Sequence, residues 1–254
     1  DLANRAETEV LFGADVSLDG NRLAVGTPYM TTTSPTGTGS RRGTVYLYSF
    51  DDDSFSNGQL QQTIGQSRGI NVELHNTAHF GQSVSLDTAA DGSARLAVGA
   101  KNYDKFGNHN SEGAVFLFTF TGTDSSSFAG GSLAAVILDQ TAGTYTDSAP
   151  ISFNQTLGAI DQFGASVSLD GTMLAVGSQK DDGYNTPGDA GNAGAVYLYT
   201  FDDTSFTNPT LQGTIGVDYT GGKDIDLASK LDASDRFGHS VSLDDNRLAV
   251  LAWG

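Results

Sequence analysis

Residues 163–177 read FGASVSLDGTMLAVG, and the phrase occurs in three further copies. Residues 12–26 read FGADVSLDGNRLAVG. Residues 80–99 read FGQSVSLDTAADGSARLAVG, with an insertion, and residues 237–250 read FGHSVSLDDNRLAV before the pattern departs at Leu251. The Phe-Gly pairs start at Phe12, Phe80, Phe163 and Phe237, at spacings of 68, 83 and 74 residues. Self-similarity over such a period marks a repeat architecture, in which a unit buries its apolar faces only against its neighbours.

Four apolar runs order each full copy. Run A is Val-Ser-Leu, as in Val167 to Leu169, where apolar residues alternate with a small polar one at strand period. Run B is Leu-Ala-Val, as in Leu174 to Val176. Asp19-Gly20 and Asp170-Gly171 separate A from B, and Asp-Gly between apolar runs favours the tight turn of a hairpin. Run C follows a glycine and is apolar on both faces: Val45 and Leu47 on one side, Tyr46, Tyr48 and Phe50 on the other. Run D carries apolar pairs four apart, Leu60 and Ile64, Leu133 and Ile137, Leu211 and Ile215. The expected fold is all-β: a β-propeller of four-stranded antiparallel blades, because radial packing of sheet on sheet covers both faces of strand C. A β-solenoid is the competing repeat fold, but its rungs are shorter than these units.

Phe-Gly, Val-x-Leu, Leu-Ala-Val-Gly and Gly-Ala-Val-Tyr-Leu-Tyr (Gly194 to Tyr199) together resemble FG-GAP repeats. Those repeats build the propeller at the head of integrin α chains and occur in many bacterial surface proteins. The resemblance implies one propeller array over residues 1–254, with blades at about 12–66, 80–138 and 163–216 and a half blade at 237–254. The chain thus holds about three and a half blades, an incomplete ring. A piece of a longer array, several chains completing one another's sheets, and a ring closed with few blades are the three readings. Leu251 stands where the other copies have Gly26, Gly99 and Gly177, and Trp253, the only tryptophan, follows it. That end reads either as a sealing strand that buries Trp253 or as drift in a terminal repeat.

Composition narrows the partners. The net charge of −17 repels phosphate backbones and anionic membranes, so neither nucleic acid nor membrane insertion is expected. The absence of cysteine excludes a disulfide framework. No apolar run reaches the roughly 20 residues of a spanning helix. The four histidines, His75, His79, His109 and His239, occupy unlike repeat positions and form no HExxH or other ligand spacing. No nucleophile elbow is present, and no catalytic role is expected. Asn154-Gln-Thr is a bare glycosylation sequon.

The candidate binding surface is the set of long B–C loops, at 27–42, 100–112 and 178–193, since loops on a rigid scaffold carry recognition. Tyr29, Tyr103 and Tyr184 each fall in one of them and suit stacking on a sugar or a protein partner, or packing within their own loops. Arg41 and Arg42, the only adjacent cationic pair, suit an acidic group on a ligand or this protein's own acids. The integrin-type calcium loop between strands A and B is missing, because Asp19-Gly-Asn-Arg and Asp170-Gly-Thr-Met hold too few carboxylates. The remaining oxygen-rich candidates for a Ca²⁺ ion are Asp181, Asp182, Asn185 and Asp189, which equally form a solvated turn. The expected function is an extracellular or cell-surface adhesion module for a protein or glycan. The alternative is self-assembly, with partners being other copies or adjoining repeats through open blade edges. Phe55, Phe128 and Phe206, in the C–D connections, are expected in the outer core.

Overall fold

The computed structural model describes residues 11–32, 40–104, 111–124, 127–139, 150–152, 157–184 and 191–254. In chain order the strands are β1 (Val16–Asp19), β2 (Arg22–Thr27), β3 (Thr31–Thr32), β4 (Ser40–Arg41), β5 (Thr44–Ser49), β6 (Gln59–Gly65), β7 (Ile70–Asn71), β8 (Phe80–Thr88), β9 (Ala94–Ala100), β10 (Ala114–Thr119), β11 (Ser132–Leu138), β12 (Pro150–Ser152), β13 (Phe163–Asp170), β14 (Met173–Ser178), β15 (Ala195–Thr200), β16 (Thr210–Gly216), β17 (Ile225–Asp226), β18 (Ser240–Asp244) and β19 (Arg247–Leu251). The described residues are all-β. Runs A to D pair antiparallel in sequence order within three sheets, and a fourth hairpin joins β18 to β19. Each full sheet gains a short fifth strand, β7, β12 or β17, parallel to strand D. It forms where the connection to the next blade turns back over strand D and covers the sheet's outer edge, which would otherwise present unpaired backbone groups.

The alternation of run A sorts the two faces of a blade. Val84 and Leu86 point back toward blade 1; Val167 and Leu169 point back toward blade 2. Both pairs are buried there. The serines point forward. Ser17 Oγ accepts the Leu86 amide at 2.9 Å, Ser85 Oγ the Leu169 amide at 2.9 Å, and Ser168 Oγ the Leu243 amide at 2.9 Å. Successive A strands therefore run side by side, innermost in the stack, and a small hydroxyl replaces the missing backbone ladder between them. The cores lie between blades. The first joins Ala24, Val45, Leu47 and Ile64 of blade 1 to Phe80, Val84, Leu86, Phe116 and Phe118 of blade 2. The second joins Val115, Leu117 and Ile137 to Phe163, Val167, Tyr197 and Tyr199. The third joins Ala175 and Val196 to Val241. Each fully buried large side chain contributes about 1.5–3 kcal/mol.

Two arginines tie the blades on the side of the A–B turns. Arg22 crosses to blade 2, donating to Thr88 Oγ1 at 3.1 Å, the Gly92 carbonyl at 2.9 Å and the Asp124 carbonyl at 2.5 Å, with its guanidinium 5.9 Å from the Phe128 ring. Arg95, paired with Asp87, repeats the device toward blade 3, reaching the Gly171 carbonyl and standing 5.8 Å from the Phe206 ring. Phe128 and Phe206 are accordingly buried. Phe55 departs from the sequence expectation. It is 52% exposed, because among the described residues no arginine and no preceding sheet lie over it, and its ring meets that of Phe50.

No closed ring forms among the described residues. Val16 and Leu18, equivalent to the buried Val84 and Leu86, are 57% and 52% exposed on the free face of blade 1. At the other end Trp253 is 63% exposed, with its ring against His239 at 4.8 Å, so it does not seal a sheet.

Candidate functional site

The B–C loops and the D-to-A connections leave every blade at the same end, here called the upper face. Their bases are clamped by one repeated junction. The Phe80 amide donates to the Arg42 carbonyl at 2.9 Å, the Phe163 amide to the Glu112 carbonyl at 2.9 Å, and the Phe237 amide to the Ala193 carbonyl at 2.8 Å. The Phe-Gly of one blade thereby bridges the glycine that precedes strand C of the blade before it: Gly43 with Phe80, Gly113 with Phe163, Gly194 with Phe237. The Phe-Gly glycines Gly81, Gly164 and Gly238 have φ of +84°, +81° and +82°, a conformation that favours glycine. They lie against the glycine ending run B of the preceding blade, where a Cβ on Gly26 or Gly177 would fall 2.1 or 2.0 Å from a carbonyl oxygen. Phe-Gly and Gly-Ala are thus the two halves of one inter-blade contact. Residues 158–199 match the FG-GAP repeat family. The matched FG-GAP repeat covers strands A, B and most of C of the third blade. No curated protein matches the chain. FG-GAP repeats are units of binding and adhesion-type propellers and are typical of extracellular or surface proteins; among the described residues no helix is long and apolar enough to cross a membrane.

On this scaffold the candidate residues take different places. Arg41 is exposed, with its guanidinium 5.1 Å from the ring of half-buried Tyr29, which packs tilted against the His79 ring at 4.6 Å. Arg42 donates through Nε and Nη2 to Asn76 Oδ1 at 3.3 and 3.0 Å. Tyr184 is exposed, its ring 5.9 Å from Tyr219. Tyr103 is not displayed. It is buried edge-on against Phe116 at 5.4 Å and His75 at 5.5 Å. Its carbonyl accepts the Gly113 amide, just as the Met30 carbonyl accepts Gly43 and the Asp181 carbonyl accepts Gly194. Met30, Tyr103 and Asp181 are therefore one repeat position, and it points into the blade.

Asp181 is the polar version of that core position. Its carboxylate accepts Tyr197 Oη at 2.5 Å, Tyr219 Oη at 3.0 and 3.1 Å, and the Gly183 amide at 2.8 Å. Burial raises its pKa against the lowering effect of these donors. Asp161, buried nearby, is pushed up to about 8, first by burial and then by the charge of Asp181. Asp182 Oδ1 accepts the Gly191 and Asn192 amides at 3.0 and 2.6 Å, which shapes the loop. Asn185, Asp189 and the sequon at Asn154 lie outside the described residues. Among the described residues no three His, Asp or Glu side chains converge as a metal-binding group.

Two features of the upper face were invisible in the repeat pattern. A polar groove of about 430 Å³ lies between blades 1 and 2, lined by Arg42, Gln66, Glu73, His75, Asn76 and Asp104. All but Arg42 and Asp104 come from the D-to-A connection, which varies between repeats and carries no motif. Nearer the axis the amides of Asn102, Gln162 and Gln179 and the ring of His239 form a chain. Gln162 donates to Asn102 at 3.3 Å, Gln179 donates to Gln162 at 2.6 Å, and His239 Nδ1 meets Gln179 Oε1 at 2.6 Å. The chain joins blades 2, 3 and 4.

Proposed function

We propose that this chain is a non-catalytic binding and adhesion module, extracellular or at the cell surface, that recognises a protein or glycan ligand through its upper face. The observation that carries the reading is the groove between blades 1 and 2. Donors (Arg42, His75) and acceptors (Glu73, Asp104) share one concave site set on clamped loop bases. Such a set orients a polar ligand group by group, and the rigid blades beneath keep the ordering cost of binding low. A panel of glycans and matrix proteins probed with the whole chain tests it. A ligand is expected whose affinity falls about tenfold or more with Arg42→Ala, the size of loss a central arginine contact gives. Binding unchanged in Arg42→Ala and Glu73→Ala for every hit would remove the groove from the reading.

The second reading, self-assembly, has its own support in the exposed Phe12, Val16 and Leu18 of blade 1. In blades 2 and 3 the same positions are covered by a neighbouring sheet. Sedimentation over a concentration series separates the two, because a stable monomer argues against assembly.

A further inference from the structure

In a chain with 30 acidic and 13 basic residues, Lys101 and Lys180 stand next in sequence to Asn102 and Gln179, the amides that the hydrogen-bonded chain brings together with His239 at the axial mouth of the upper face. Lys101 of blade 2 acts electrostatically on His79 at the start of its own blade, on Lys180 of blade 3 and on His239 of blade 4. Arg41 adds its charge to His79, and Arg236 adds its charge to His239. Neither Lys101 nor Lys180 forms an ion pair among the described residues. His79, nine-tenths buried, has an Nδ1 with no hydrogen-bond partner. Like charges brought together without a counter-charge cost free energy that an anion would recover.

We propose that this mouth binds a saccharide whose carboxylates stand singly, one to a ring, with Lys101 and Lys180 receiving one acid group, the Asn102–Gln162–Gln179 amides meeting hydroxyls, and Trp253 lying along the sugar ring. The proposal rests on the upper face being the binding surface and names a ligand chemistry for a second place on it. Three observations select the class. Gln162 and Gln179 each use one N–H and one oxygen lone pair within the chain and keep the second of each for hydroxyl groups, which both give and accept. Trp253 presents an exposed ring beside His239, a platform with an apolar face and a polar edge. The surrounding net charge of −17 opposes a dense polyanion, while a single carboxylate feels mainly the charges within a Debye length of about 8 Å.

Calorimetric titration of the whole chain at physiological salt, with four probes, tests the proposal: trigalacturonate, its neutral methyl ester, a sulfated heparin-derived hexasaccharide and hexaglutamate. Trigalacturonate is expected to bind, and the ester to bind at least about tenfold more weakly, the range for loss of charged hydrogen bonds. Lys180→Gln and Arg41→Gln, both near the surface, should weaken trigalacturonate in the same direction. Lys101→Arg should retain binding where Lys101→Gln loses it, which guards against misfolding of the half-buried position. Trp253→Ala should weaken every saccharide that binds. Equal binding of acid and ester overturns the proposal. So does hexaglutamate binding without trigalacturonate, which would assign the mouth to acidic peptides, or a preference for the sulfated polyanion. If no probe binds while a ligand dependent on Arg42 is still held, the proposal falls and the binding-module reading stands; if neither is held, both fall.

Discussion

A Cβ added to Gly99 would stand 2.0 Å from the carbonyl oxygen of Gly164 in the next blade. Ser83 Oγ lies 2.2 Å from the same point and could turn away, but the Gly164 backbone could not, so the blades themselves must part to admit a methyl group. Gly99→Ala is expected to destabilise at or above the upper end of the ~1–3 kcal/mol typical of overpacking. Gly171→Ala is the contrast. Its turn has φ of +56° but nothing within 4 Å of the new Cβ, so the cost is the ~1–2 kcal/mol of the left-handed conformation alone. Urea denaturation of the two variants checks the difference, and equal losses would show that inter-blade approach does not limit position 99.

The same pair of glycines shows what the repeat made legible and what it hid. Phe163, Gly164 and Gly177 recur because three backbones meet at every blade junction, so pattern alone led to strands, hairpins and a propeller. The position shared by Met30, Tyr103 and Asp181 has no fixed chemistry. Its inward direction is set by backbone geometry, and no spacing rule separates a displayed Tyr103 from a buried one. His79 and His239 occupy unlike repeat positions, yet Lys101 acts on both, because axial convergence links different offsets in different blades. Glu73, His75 and Asn76 of the groove lie in a connection that is free to vary. Phe55 fails the outer-core expectation for a different reason: burial of that phenylalanine depends on the blade before it.

Arg22→Met should cost about 1–3 kcal/mol, since it leaves the Gly92 and Asp124 carbonyls without a buried donor. Blade 3 carries Met173 at the equivalent position, so the methionine is sterically tolerated there. Arg247→Met, on the exposed fourth hairpin, should change stability by less than about 0.5 kcal/mol. Thermal denaturation of both checks the claim that the arginine acts across the blade interface.

Stability should depend on pH through the Asp161–Asp181 pair. Both pKa values are raised in the fold, Asp161 from 3.8 to about 8, so the folded chain holds a proton that the unfolded chain releases. The resulting stabilisation is full below about pH 4 and is lost as pH rises toward 8. Asp161→Asn keeps an oxygen to accept the Gly158 amide, removes the repulsion with Asp181, and should flatten this slope. Denaturant midpoints measured from pH 5 to 8 in both proteins provide the test, and parallel curves would remove Asp161 as the source.

His79 should act in the opposite direction. Burial, with the charges of Lys101 and Arg41, holds its pKa near 4 against an ordinary 6.5, so the folded chain keeps the ring neutral. This contribution is present above pH 6.5 and is lost as pH falls toward 4. His79→Phe should weaken that acid-side loss, because the ring still packs against Tyr29 without accepting a proton. Comparing His79→Phe with Asp161→Asn then assigns the two limbs of the stability curve, the acid limb to His79 and the alkaline limb to Asp161. If His79→Phe leaves the acid limb unchanged, the histidine does not titrate from a buried neutral state.

Leu18→Lys should lower self-association while leaving the fold intact. Among the described residues no sheet covers Leu18 and Val16, and a charge there disfavours any β-sheet that packs in the manner of blade 1 on blade 2. The equivalent change in blade 2, Leu86→Lys, would place an ammonium in the first inter-blade core and should unfold the chain. Sedimentation of Leu18→Lys against the unmodified chain measures the first effect, and circular dichroism of Leu86→Lys the second. Unchanged association in Leu18→Lys would mean that the free face of blade 1 is not where copies meet.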